Sequence, residues 1–150
     1  MYGFTHADVV EETSLYKLWR RADVACIRVT GIVDDDKSEV WRAGLLAHIE
    51  RSGYPRFAAL DSAASDPHNS LRSRLGTAAF ARSLARRIEW GAVLTGPGPG
   101  PLVVVRTVMR VVGMPNIYLF QSPAEFGQAL ASCLAGRRPL KWADTAVEGA

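Results

Sequence analysis

The chain has 150 residues, a length that forms one domain and buries roughly 70% of the surface that the unfolded chain would expose. Hydrophobic residues make up 48% and charged residues 22%, with a net charge of +3, which is ordinary globular composition and excludes a disordered chain except at its ends. No apolar run reaches the roughly 18 residues of a membrane-spanning helix, and the first residues are too polar and acidic for a signal peptide, so we expect a cytoplasmic protein.

Charge is distributed unevenly along the chain. Residues 1–66 carry 11 acidic and 8 basic side chains, whereas residues 71–110 carry seven arginines against one acid, Glu89. Such a basic segment attracts anionic or acidic partners. The aromatic side chains that stack on bases are not interleaved with these arginines, so a solvated or protein-binding face is favoured over nucleic-acid binding.

The first predicted elements are a hairpin and a helix. Two apolar, β-branched runs at residues 14–19 and 24–33 are separated by a short polar turn, which is typical of a β-hairpin. A helix follows, with Asp36 as its cap and Gly53 at its end. Its spacing places four side chains on one face: Trp41, Leu45, His48 and Ile49.

A second strand and helix follow in the middle of the chain. Residues 56–61 form a short apolar run that predicts a strand, and the polar residues 62–69 predict a loop. A helix is predicted from Ser70, with its arginines on the outer side. Its inner face is expected to carry Ser73, Thr77, Phe80, Ala81 and Leu84. Residues 88–95 then predict a strand.

The stretch TGPGPGPLVVVRTVMRVVG, residues 95–113, predicts a stiff surface loop followed by a helix. Every second loop residue is a proline without an N–H, so the loop lacks the consecutive amides that bind phosphate. Helical spacing then relates Leu102, Val105, Val108, Met109 and Val112. A strand at residues 116–120 and a helix at residues 122–134, capped by Ser122, complete the predicted order.

This order predicts an α/β fold with a mostly parallel, mixed five-stranded sheet and about four helices. Helices that return between strands imply parallel pairing, while the initial hairpin adds an antiparallel strand. The predicted divisions are an N-terminal segment at residues 1–13, the domain at residues 14–135, and a polar C-terminal tail at residues 136–150.

Several patterns in the sequence are candidates for catalysis. Acidic residues 34–36, Asp61 and Thr95 follow strands, as in a phosphoacceptor receiver domain, but a receiver needs one more strand and helix before the second acid. The neighbouring Asp66, His68 and Ser70 lack the surroundings of a hydrolytic triad. We therefore expect a protein that is not an enzyme and that needs no cofactor or metal.

The chain has two cysteines, Cys26 and Cys133, and both lie inside apolar elements. They are far apart in the sequence, and no Cys/His cluster with metal-ligand spacing is present. Both are predicted to be buried structural thiols.

Several stretches resemble the STAS or SpoIIAA-like family, particularly its bacterial STAS/SEC14-type branch. They are the strand VACIRVTGIV, the apolar strand that ends in Asp61, the strand and loop GAVLTGP, and the segments VVVRTVMRVVGMPNIYLF and SPAEFGQALASCL. The resemblance covers about residues 14–135 and implies a SpoIIAA-like α/β sandwich. In the anti-sigma-factor antagonists of this superfamily, a serine at the start of the helix after the third strand is phosphorylated and switches partner binding.

The corresponding segment here is DPHNSL, residues 66–71, in which Ser70 is the only hydroxyl and the Asp-Ser-Ser/Thr-Gly signature is absent. The resemblance makes Ser70 a candidate phosphorylation site, with a structural helix cap as the alternative. A phosphate at a helix N-terminus would be stabilised by the helix dipole and by nearby arginines. The candidate site for phosphorylation and partner binding comprises Ser70, Asp61, Ser62, Asp66, Arg72 and Arg74.

The resemblance implies a non-catalytic protein-interaction module with a bacterial regulatory role. The alternative, implied by the SEC14-like branch, is a carrier or sensor of a small apolar or lipid ligand. A homodimer is a further possibility.

Overall fold

The computed structural model describes residues 2–96 and 113–139. Eight strands lie in these ranges: β1 (Val9–Glu12), β2 (Tyr16–Arg21), β3 (Val24–Val29), β4 (Gly31–Val33), β5 (Phe57–Asp61), β6 (Ser65–Pro67), β7 (Trp90–Leu94) and β8 (Ile117–Phe120). Three α-helices lie there as well: α1 (Asp35–Ser52), α2 (Leu71–Ala85) and α3 (Pro123–Leu134). A short 3-10 turn, His6–Asp8, precedes β1.

The main sheet is mixed and has six strands in the order β1-β2-β3-β5-β7-β8. The first three strands pair antiparallel, and β3, β5, β7 and β8 pair parallel. The predicted α/β class and mixed sheet are therefore confirmed, with one strand more than expected. The additional strand is β1, which lies in the N-terminal segment 1–13. The predicted loop and helix over residues 97–112 lie outside the described residues, as do residues 140–150 of the tail.

The run of residues 24–33 is not one strand, as predicted, but two. Gly31 adopts a φ of 79°, in the left-handed region that glycine tolerates and β-branched residues avoid. The chain turns out of the main sheet at this point, and β4 pairs in parallel with β6 to form a separate two-stranded sheet. The predicted loop at residues 62–69 therefore contains a short strand.

The main sheet is covered on both faces. Helices α1 and α2 follow β4 and β6 and lie on one face, because right-handed crossovers between successive parallel strands place their helices on the same side. On that face, the rings of Trp41 and Phe80 meet edge to face with centroids 6.1 Å apart. Helix α3 lies on the other face, where Phe126, Ala129, Leu130 and Cys133 pack into one cluster with Phe57 and Trp90.

Side-chain caps start all three helices. Asp34 accepts a hydrogen bond from the amide of Lys37 at 2.9 Å and is the cap of α1, so the prediction of Asp36 as the cap was wrong. The first aspartate of the run has the extended backbone that a cap requires, and the next two lie in the first turn. Ser70 and Ser122 cap α2 and α3, as predicted.

The two cysteines are buried and free, as predicted. Burial raises the pKa of each thiol, Cys26 and Cys133, to about 12. Over residues 2–96 and 113–139, no helix combines the length and the apolar character that crossing a membrane requires.

Candidate functional site

The candidate site lies where β4 and β6 run side by side and lead into the starts of α1 and α2. Ile32 is in register with Asp66, and Val33 with Pro67. The amide of His68 extends this ladder by donating to the carbonyl of Val33 at 2.9 Å. The two-stranded sheet therefore fixes the two helix N-termini next to each other.

Ser70 connects these two helix N-termini. Its backbone amide donates to Oδ1 of Asp35 and its hydroxyl donates to Oδ2 of the same carboxylate, both at 2.7 Å. The Ser70 Oγ also accepts the capping hydrogen bond from the amide of Ser73 at 3.2 Å. Both bonds from Ser70 lower the pKa of Asp35, and the bond from the amide has the larger effect. They lower it because they stabilise the ionised carboxylate.

The residues that follow Ser70 present both apolar and basic side chains to solvent. Leu71 is 72% exposed and Leu75, one turn further along α2, is 56% exposed. Arg72 and Arg74 are exposed on the same turn. Ser70 itself is exposed. We call Leu71, Arg72, Arg74 and Leu75 the α2 surface.

Asp66 and His68 form a surface pair at the edge of this site. The Nε2 atom of His68 lies 2.9 Å from Oδ2 of Asp66, and both side chains are exposed. The hydroxyl of Ser70 donates to Asp35 instead of joining this pair. The three residues therefore do not form the relay that a serine nucleophile needs.

Asp61 points to the opposite face of the sheet. Side chains alternate between the two faces along β5, so Asp61 lies on the same face as Phe57 and Ala59, and Leu60 lies on the other. Phe57 and Ala59 both pack in the cluster under α3. Its Oδ2 lies 3.3 Å from Nε of Arg28, and its Oδ1 accepts from the amide of Ala63 at 3.1 Å. Burial raises the pKa of Asp61. Among the six candidate residues, Asp61 is thus separated from Ser70 by the sheet.

Arg28, the partner of Asp61, is itself held by aromatic rings. Its guanidinium lies 5.4 Å from the ring centroids of both Tyr2 and Trp19, and it donates to the hydroxyl of Tyr2 at 2.9 Å. This arrangement explains Asp61 as part of a structural contact between β3, β5 and the N-terminal segment.

Ser62 lies on the face of the sheet that α1 and α2 cover. Its amide and its hydroxyl both donate to the carbonyl of Leu94, at 2.9 Å and 2.8 Å, and the hydroxyl of Ser65 donates to the carbonyl of Ser62 at 2.7 Å. Ser62 therefore fixes the turn that leads from β5 to β6, and it also lines a cavity beneath that turn.

A cavity of about 430 Å³ lies between the sheet and the helices α1 and α2. Its described lining is apolar on the main sheet, on β4, on both helices and just before β8. These apolar residues are Val29, Val33, Trp41, Leu60, Ala78, Ala81, Val93 and Met114. Polar side chains gather where the cavity approaches the candidate site, namely Ser38, Ser62, Ser65, Asn69, Arg74, Thr77 and Thr95. Cavities of this size and mixed lining are typical of small-molecule sites.

The acids and the hydroxyl considered for a receiver-like centre are not brought together. Asp34 caps α1, and Asp61 faces Arg28 on the face that α3 covers. Thr95 lines the cavity on the face that α1 and α2 cover. Among the described residues, no three His, Cys, Asp or Glu side chains form a group able to hold a metal ion.

Two features of the site were not predicted from the sequence. In the sequence Asp35 is only one of three acids before a helix, yet in the structure its carboxylate accepts the hydrogen bond from the Ser70 hydroxyl. The cavity also has no local sequence signal, because its lining comes from strands and helices distant along the chain.

Comparison with known proteins identifies the fold. The structure of the Bacillus cell fate determinant SpoIIAA in its phosphorylated form matches with a TM-score of 0.50 at 18% identity, over 75% of this chain and 97% of that chain. The structure of the anti-sigma factor antagonist SpoIIAA in its unphosphorylated form matches with a TM-score of 0.48 at 16% identity, over 81% of this chain and 98% of that chain. No protein-family model and no curated protein matches the sequence. The chain has the SpoIIAA-like fold, the α/β sandwich of STAS domains.

Proposed function

We propose that this chain is a non-catalytic protein-interaction module with a bacterial, cytoplasmic regulatory role. The SpoIIAA-like fold supports a module of this type. One of the similar structures is described as an anti-sigma factor antagonist and the other as a phosphorylated form. In our proposal the partner protein binds at the α2 surface and the adjoining residues 62–70.

The observation that carries this proposal is the exposure of Leu71 and Leu75 at the start of α2. Two leucines one turn apart, at 72% and 56% exposure, leave apolar surface in water that a partner would bury. Ile32, on the neighbouring β4, is 58% exposed at the same end of the fold. An exposed apolar surface rimmed by charged residues is typical of a protein-binding site.

The bonds of Ser70 support a switch at this surface. Phosphorylation would place an anion where the hydroxyl now donates to Asp35, and the two negative charges would repel each other. The phosphate would instead be stabilised by the N-terminal dipole of α2 and by Arg72 or Arg74. In our proposal the phosphorylated Ser70 thus contacts Arg72 or Arg74 instead of Asp35. This change alters the α2 surface and hence its binding of the partner protein.

The test is in-cell cross-linking with purification of the chain and identification of the captured proteins. Leu71→Ser with Leu75→Ser removes the proposed contact, and Tyr54→Ser is the matched control. Tyr54 is 40% exposed, and its ring centroid lies 5.4 Å from the guanidinium of Arg87, just beyond the C-terminal end of α2. A protein captured by the wild type and the control, but not by the double variant, is the expected result. Identical captures from all three chains would overturn the proposed surface.

The same surface would also serve a homodimer, with a second copy as the occupant. Sedimentation velocity of the wild type and of the double variant separates the two cases. A wild-type dimer that dissociates in the double variant assigns the surface to self-association. A monomer in both leaves the surface for a different protein.

The cavity favours a second candidate function, a carrier or sensor of a small apolar or lipid ligand. Its volume of about 430 Å³ and its apolar floor match the usual size and lining of ligand pockets. Native mass spectrometry of the protein purified from its own cell tests this candidate. A bound small molecule that survives purification is the expected result.

A further inference from the structure

The described lining of the cavity divides into an apolar floor and one charged group at its rim. The floor is formed by strands β3, β5 and β7 together with α2, through side chains such as Leu60, Val93 and Ala81. Among the described lining residues, the one charged side chain is Arg74. A ligand that satisfies both parts must be amphipathic and negatively charged.

The guanidinium of Arg74 is oriented by a chain of hydrogen bonds. Its Nε donates to Oδ1 of Asn69 at 3.2 Å, and Nδ2 of Asn69 donates to Oγ of Ser38 at 3.2 Å. Ser38 is buried in the first turns of α1. Because only Nε is engaged in these bonds, the terminal nitrogens of Arg74 stay available as donors to an anion, and guanidinium binds a carboxylate with two such donors.

We propose that the cavity binds a medium-chain monocarboxylate, with its alkyl chain on the floor and its carboxylate on Arg74. This inference rests on the second candidate function and names the chemical class of the ligand. Arg74 is the one charged side chain among the described lining residues, and its guanidinium fork matches the single carboxylate of this ligand; decyl phosphate tests the other anionic head group.

The volume of the cavity limits the length of the chain. If a methylene occupies about the volume of a water molecule in liquid water, roughly 30 Å³, then about 430 Å³ holds on the order of a dozen carbons. A lipid with two long chains exceeds this volume. This volume favours a free single-chain acid over a membrane phospholipid.

The experiment is isothermal titration calorimetry with hexanoate, octanoate, decanoate and dodecanoate, each below its micellar concentration. Affinity is expected to rise about three- to fourfold per methylene, as burial of each group in an apolar site predicts, and to stop rising once the cavity is full. Decanol and decyl phosphate, which share the chain but not the head group, complete the set of probes.

Two variants test the contact with the head group and the contact with the apolar floor separately. Arg74→Gln is expected to weaken decanoate binding at least tenfold and to leave decanol binding unchanged. Arg82→Gln is the matched control, because Arg82 is exposed further along α2 and is not among the residues that line the cavity, and it is expected to bind both probes as the wild type does. Ala81→Phe, which fills part of the floor, is expected to weaken both probes, and its circular dichroism spectrum reports whether it folds.

The outcomes distinguish this inference from the function on which it rests. If no probe binds, both the carrier function and the carboxylate assignment fail. If decanoate and decanol bind equally, or Arg74→Gln changes nothing, the cavity is a ligand site but the assignment to a carboxylate fails. Tighter binding of decyl phosphate than of decanoate also overturns that assignment.

Discussion

Asp35 accepts two hydrogen bonds from Ser70, one from the backbone amide and one from the hydroxyl, each 2.7 Å long. One carboxylate in the first turn of α1 is thereby bonded to the cap residue of α2. The two residues are 35 positions apart in the sequence, so this contact closes a long loop and holds the helix N-termini together.

Ser70→Ala is expected to lower the free energy of unfolding by about 1 kcal/mol, the usual effect of losing a serine cap. Asp35→Ala removes the other side of the same contact. Because the two residues share hydrogen bonds, the double variant should lose less stability than the sum of the single variants. Urea denaturation of the four chains measures this coupling. Strictly additive losses would show that the contact contributes nothing to stability.

The titration of Asp35 reports the state of Ser70. The bonds from Ser70 hold the pKa of Asp35 below its ordinary value, so the stability that they contribute is present above that ordinary value and is lost as the pH falls through the folded-state pKa. Ser70→Ala keeps the amide bond but loses the hydroxyl bond, so the pKa of Asp35 should move part of the way back. Phosphorylated Ser70 should raise it further through like-charge repulsion. Carboxyl NMR titration of the wild type, Ser70→Ala and the phosphorylated protein measures the pKa of Asp35, which should rise in that order. An unchanged pKa of Asp35 in Ser70→Ala would contradict the prediction.

His48 is a buried titratable group in the helix α1. Its Nε2 lies 3.2 Å from Nη1 of Arg20, and its Nδ1 has no hydrogen-bond partner among the described residues. Burial lowers the pKa of His48, and the positive charges of Arg20 and Arg51 lower it further. The folded protein therefore holds this imidazole neutral at a pH where the unfolded chain, with a histidine pKa of about 6.5, binds a proton.

Because the unfolded chain takes up the proton first, the contribution of His48 to stability is complete above about pH 7 and decreases as the pH falls toward the folded-state pKa. The limiting slope is about 1.4 kcal/mol per pH unit. His48→Gln removes this titration, so the difference in unfolding free energy between wild type and variant should narrow or reverse between pH 7.5 and pH 5. His6→Gln, at an exposed position, controls for the change in chain charge. A difference that is constant with pH would contradict the prediction.

Much of the fold was predictable because its signals are local. The strand β5 and the helix α2 are marked by an apolar run and by helical spacing after a serine cap, and both were found where predicted. The strands β1 and β6 were missed, because Val9–Glu12 is only four residues long and half acidic, and Ser65–Pro67 consists of three residues with little strand preference. Each is a strand because a partner strand, β2 or β4, supplies its hydrogen bonds, and tertiary pairing of this kind overrides local preference.

The candidate site was predictable in part for the same reason. The position of Ser70 at a helix start follows from neighbouring residues, whereas its partner Asp35 lies 35 residues away and has no sequence signal of its own. Asp61 was included with Ser70 in the candidate site. Strand alternation, counted from Phe57, would have indicated the opposite face. The phosphorylation of Ser70 and the roles of the other five candidate residues remain predictions.

Two helical glycines provide a matched test of how the helices pack. A Cβ at Gly44, in α1, would overlap the hydroxyl of Tyr16 and approach its Cζ to 2.6 Å, whereas a Cβ at Gly127, in α3, would meet nothing within 4 Å. Tyr16 is buried in β2 and its hydroxyl donates to Glu11, so it has little freedom to move away. Gly44→Ala should therefore lower the free energy of unfolding by about 1–3 kcal/mol through overpacking. Gly127→Ala should raise it by about 0.5–1 kcal/mol, because alanine restricts the unfolded chain and favours a helix. Urea denaturation of both variants measures these changes, and a Gly44→Ala variant that is as stable as the wild type would show that α1 does not lie on β2 as closely as this arrangement requires.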